Sequence, residues 1–127
     1  MKDLIIEATI KTPEVRFHAS NGILILKGRS IPENSIDFFR PLHDWIDDYF
    51  VQPHEKTRVE IKLEYFNTSS SKSMLDMFKK MEGLNGIQSQ IEIHWFYEQD
   101  DEDMLEAGED YQAILNIPVS MIAVDEL

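Results

Sequence analysis

At 127 residues the chain can build one domain with a proper core but not two. Its hydrophobic content of 43% is spread along the whole length, which excludes extensive disorder, and the absence of cysteine excludes disulfides, thiol nucleophiles and thiolate-bound zinc. The net charge of −12 lies almost wholly in residues 64–127, where fourteen acids face three bases; such a surface repels nucleic-acid phosphates and anionic lipid and suits a basic protein partner.

The opening MKDLIIEATI carries Asp3 and Glu7 and no long apolar run, unlike a signal peptide, and no segment reaches membrane-spanning length. A soluble, cytoplasmic protein with no membrane insertion is expected. A first strand spans roughly Leu4 to Ile10. Val15 to His18 and Ile23 to Lys27 form two more, joined at Asn21-Gly22, a strong hairpin signal.

Pro32-Glu33-Asn34-Ser35 opens a helix, with Asn34 or Ser35 as its cap. Phe38, Leu42, Trp45 and Tyr49 then recur at helical spacing, so the aromatic residues Trp45, Tyr49 and Phe50 read as core rather than as a ligand pocket. Pro41 should kink this helix or mark its true start. Thr57 to Phe66 alternates as a strand, with Val59, Ile61, Leu63 and Tyr65 on one side. Met74, Leu75, Phe78 and Met81 define a second helix, with Lys79 and Lys80 in its last turn and Gly83 beyond. Gln90 to Tyr97 alternates again, a short third helix covers about Asp101 to Ala107, and Ile117 to Val124 closes the sheet. The expected fold is a single α/β domain over 1–127. Its mixed sheet opens with an N-terminal hairpin, and its helices lie mainly on one face.

Between the fourth strand and the second helix stand Asn67-Thr68-Ser69-Ser70-Ser71-Lys72. Ser, Thr and Asn are preferred N-caps, so capping alone explains their presence. The first helical turn also presents unpaired N–H groups and a positive dipole end. A phosphate added to one of these hydroxyls would meet a prepared environment.

Catalytic devices are missing. No GxSxG elbow, GxxxxGK[ST] loop or GxGxxG fingerprint is present. His18, His43, His54 and His94 are scattered, without HxH or HExxH spacing. The acids Asp100, Asp101, Glu102 and Asp103 lack the glycine and ligand spacing of a calcium loop, and read as a solvated helix start and candidate docking surface. No metal site and no cofactor are expected.

Several segments together carry a family likeness. They are Pro32-Glu33-Asn34-Ser35 with Phe38-Phe39, Tyr65 through Lys72, Trp95-Phe96-Tyr97, Asp100 through Met104, and Gly108-Glu109-Asp110-Tyr111. In this order they resemble the SiaC family of bacterial phosphoproteins that regulate biofilm formation, over nearly the whole chain. The resemblance implies a STAS-like fold and a non-enzymatic switch. The unphosphorylated form would bind and activate a diguanylate cyclase, raising cyclic di-GMP. A serine/threonine protein kinase would phosphorylate the threonine of the TSSSK motif, which falls on Thr68, and a PP2C-type phosphatase would reverse it. Ser69, Ser70 and Ser71 stand as alternative acceptors, Asn67 as a cap or turn former, and Lys72 as a contact for kinase or phosphate. Two other readings compete: a constitutive scaffold binding through an open sheet face, and a metal-dependent enzyme using the 100–103 acids with His94.

Overall fold

The computed structural model describes all 127 residues. Three strands open the chain: β1 (Leu4–Ile6), β2 (Glu14–His18) and β3 (Ile23–Ser30). They pair antiparallel, with Ile5 opposite Arg16 and Arg16 opposite Ile25. The hairpin turn works as its sequence suggests. Gly22 adopts φ +69, and a Cβ there would stand 2.8 Å from the Tyr49 hydroxyl; only glycine suits both demands. β1 stops four residues earlier than expected, because the chain turns at Thr9, whose hydroxyl accepts from the Thr12 N–H at 3.0 Å.

Three crossovers follow: α1 (Ser35–Tyr49) to β4 (Lys56–Phe66), α2 (Thr68–Glu82) to β5 (Gln90–Glu98), and α3 (Glu102–Ile114) to β6 (Val119–Val124). Strands β3 to β6 are parallel, and the sheet order is simply β1 to β6. Right-handed crossovers that always advance in one direction place every helix on the same face. The opposite face carries no helix. A row of Ile5, Arg16, Ile25, Glu60, His94 and Ser120 crosses it. Glu60 is held there between Arg58 at 3.0 Å and Lys62 at 3.1 Å.

The core of 24 buried hydrophobic residues lies between sheet and helices. α1 contributes Phe39, Leu42, Trp45, Ile46 and Tyr49, and Trp45 stacks on Tyr49 with ring centroids 5.0 Å apart. These aromatics are core, as their spacing indicates. Pro41 does not begin the helix. Asn34 caps it, accepting from the Asp37 N–H at 3.1 Å, and Pro41 falls on the solvent side, where its ring displaces nothing in the core.

Two local departures matter for the site. A β-bulge shifts the β3–β4 register between Gly28 and Arg29, so that Gly28 pairs with Leu63 and Arg29 with Tyr65. The extra residue, Glu64, reverses the alternation. Tyr65, expected beside Leu63, is 51% exposed, and Phe66 turns inward against Trp95, centroids 6.0 Å apart. α3 runs seven residues past Ala107, straight through Gly108. A Cβ at Gly108 would come within 2.6 Å of Trp95 Nε1 and 2.8 Å of Met121 Sδ. Here glycine permits close helix–sheet packing instead of ending a helix.

Candidate functional site

The helices start where the parallel strands end, so three helix N-termini line one end of the sheet. The same device opens each. Asn34, Asn67 and Asp101 accept from the N–H three residues on, at 3.1, 2.9 and 3.0 Å respectively. They differ in charge. α1 has Asp37 in its first turn, α3 has Glu102 and Asp103, and α2 has no acid. The positive end of the α2 dipole therefore has no resident carboxylate.

The four consecutive hydroxyls that open α2 are not equivalent. Ser70 is fully buried; its Oγ lies 2.8 Å from Ser30 Oγ and donates to the Ser30 carbonyl at 3.0 Å. Ser71 is half-buried, with its Oγ 2.9 Å from the Tyr111 hydroxyl, which donates to the Ser71 carbonyl. Ser69 is exposed, but it donates to Asn67 Oδ1 at 3.1 Å and stands 2.7 Å from Ser35 Oγ, tying α2 to α1. Thr68 alone is exposed with its hydroxyl in no protein hydrogen bond. Lys72 is exposed one turn on, on the face that Thr68 shares.

Two grooves adjoin this point. One, of about 380 Å³, lies between the starts of α1 and α2 and includes Asn34, Ser35, Ile36, Ser69 and Lys72. The other, of about 310 Å³, lies between the end of β4 and α3. Phe66, Met104 and Ala107 give it an apolar floor; Tyr65, Asp101 and Asp103 form its rim. The chain from Phe66 to Ser69 passes from one to the other, with Thr68 on the divide. Arg29 adds a cation 5.8 Å from the Tyr65 ring centroid.

The acidic segment has a divided role. Asp101 is the cap of α3, while Asp100, Glu102 and Asp103 face solvent beside Glu98. His94 sits on the helix-free face, its Nε2 3.2 Å from Glu92 Oε1. No three carboxylate or imidazole groups converge to hold a metal ion. Residues 100–103 and His94 are therefore not gathered into one metal-binding group. The acids begin α3 and the histidine belongs to the sheet face.

Local sequence does not tie Tyr111 to this site, although its spacing from Met104 and Gly108 marks the inner face of α3. Burial raises its hydroxyl pKa, partly offset by the Ser71 hydrogen bond. Tyr111→Phe should cost about 1 kcal/mol of stability by removing this tie between α3 and α2, read as a lowered urea midpoint at unchanged slope.

Fold and site together define a one-sided α/β domain with an unengaged hydroxyl at the opening of a helix. The chain belongs to the SiaC family: the model for the SiaC family regulatory phosphoprotein matches residues 6–124. An uncharacterised protein of Pseudomonas aeruginosa strain UCBPP-PA14 is 29% identical over 126 residues, which cover 99% of this chain and 100% of that protein. The solved structure of SiaC from P. aeruginosa superposes with a TM-score of 0.89 at 27% identity, covering 98% of this chain and 100% of that one. A second structure, of the P. aeruginosa diguanylate cyclase SiaD in complex with its activator SiaC, matches with a TM-score of 0.90 at 28% identity, over 96% of this chain and 100% of that chain. No helix here is long and apolar enough to cross a membrane.

Proposed function

We propose that this protein is a non-enzymatic phospho-switch. Unphosphorylated, it binds and activates a diguanylate cyclase, raising cyclic di-GMP and so governing biofilm formation. A serine/threonine kinase phosphorylates Thr68 and blocks the activation; a PP2C-type phosphatase restores it. The observation that carries this reading is the state of Thr68, exposed and unengaged where each neighbouring serine is buried or hydrogen-bonded. Membership of a family of regulatory phosphoproteins supports it, as does the complex of the related SiaC with the cyclase it activates.

The physics of the switch follows from the surroundings. A threonine hydroxyl enters an interface at little cost. A phosphate there carries nearly two negative charges that must be paired or kept hydrated. The α2 N–H groups and Lys72 stabilise it on the free protein. At an interface that sets no cation opposite Thr68, it carries a desolvation penalty that the free protein does not. Asn67 holds the helix start that positions Thr68, and Asp100, Glu102 and Asp103 attract basic groups of the cyclase.

The test is an assay of cyclic di-GMP formation from GTP by the purified cyclase. Unphosphorylated protein should stimulate it, and protein phosphorylated on Thr68 should not. Equal stimulation by both forms would leave a constitutive activator and end the switch reading.

A further inference from the structure

β6 ends the sheet, and no strand pairs with its outer edge. It reads Val-Ser-Met-Ile-Ala-Val, with no charge, proline or glycine. Edges are normally blunted by lysine, proline, a bulge or brevity, because unpaired N–H and C=O groups recruit further strands. The opposite edge is blunted, since β1 has only three residues. β6 is not.

The backbone direction can be fixed. The Pro118 and Val124 carbonyls accept from Ile93 and Gln99, at 2.9 and 3.0 Å. Alternation then turns the backbone groups of Ser120 and Ile122 towards β5, and those of Val119, Met121 and Ala123 outward. Gln112 of α3 caps one of them, donating to the Val119 carbonyl at 2.7 Å. Met121 and Ala123 keep outward N–H and C=O groups without partners.

We propose that this edge is a docking strand, to which an extended segment of a partner protein adds as a further strand of the sheet, its lysine or arginine side chains alternating with apolar ones. The Gln112 contact sets one flank of α3 above the edge, and helical spacing puts Leu105 and Glu109 on that flank. Leu105 is half-buried and Glu109 exposed. Side chains of the incoming strand that point to the helix face would meet Glu109, in a helix with five acids and no base. Those on the other face would meet Ile122 and Val124, both half-buried. Charge decides against a second copy of this chain. Antiparallel pairing of two β6 strands about a two-fold axis would set two acidic α3 helices side by side. This inference does not depend on the cyclase or on Thr68.

The probe is an end-capped peptide of alternating valine and lysine, measured by fluorescence anisotropy and amide hydrogen exchange with the full chain. It should bind and slow exchange at Met121 and Ala123. Ala123→Pro removes one outward N–H and leaves the β5 ladder intact, so it should weaken binding by about tenfold. Glu109→Lys should weaken it by about fivefold, an effect that fades with salt. A peptide N-methylated at alternate residues tests the same bonds without altering the protein, and should bind about tenfold more weakly. Equal binding by a peptide with its valines and lysines in separate blocks would overturn the proposal, since charge alone would then suffice. So would undiminished binding by the N-methylated peptide, protection away from β6, or self-association of the chain through β6.

Discussion

Replacing Thr68 by Asp should weaken cyclase binding by about a hundredfold, while leaving the protein as stable as wild type or slightly more so. The two effects have different origins. On the free protein, a carboxylate at the first position of α2 meets N–H groups and a dipole end without a resident acid, which favours it by about 0.3–1 kcal/mol. In the interface the same charge is desolvated without a partner cation, a penalty of about 3 kcal/mol, or about a hundredfold in affinity. Thr68→Ala should bind and activate within about threefold of wild type, since it removes one ordinary hydroxyl, and should resist phosphorylation. The pair separates the switch from simple damage. A variant that melts no earlier than wild type yet fails to bind has lost an interface, not a fold. Tight binding by the Asp variant would contradict the account.

Trp95→Ala should lower stability by about 3–5 kcal/mol, and the melting temperature by more than about 10 °C. Trp95 is fully buried, touches Phe66 and Tyr111 with ring centroids 6.0 and 5.3 Å away, and donates from Nε1 to the Met104 carbonyl at 2.9 Å. It is the platform on which α3 lies through Gly108. Its loss leaves a cavity under the helix that carries the acidic rim, so binding should fail together with stability, unlike in Thr68→Asp. Trp95→Phe keeps most of the ring and loses the N–H, and should cost about half as much. Thermal melts of Thr68→Asp, Trp95→Ala and Trp95→Phe side by side, with cyclase binding measured for each, check both predictions.

Element order, mixed pairing and the one-sided helix layer were legible because each rests on a local signal: the Asn-Gly turn, the periods of apolar residues, the capping asparagines. Misjudged features depend on distant partners. Gly108 looks like a helix end until Trp95 and Met121 are packed against it. Tyr65 looks like a core residue until the bulge opposite Gly28 turns it out. The hydroxyl cluster shows the limit most clearly. Thr68, Ser69, Ser70 and Ser71 are chemically similar in the sequence, where family likeness alone favours the first. What distinguishes them in space is Ser30, Ser35 and Tyr111, which lie 34 to 40 positions away. No local pattern carries that information.

The most direct test is phosphopeptide mapping of the protein recovered from its own host, in growing and in sessile cells. Phosphate on Thr68, at an occupancy that differs between the two states, is the predicted result. No phosphate in either state, or phosphate on the buried Ser70 with Thr68 bare, would contradict it.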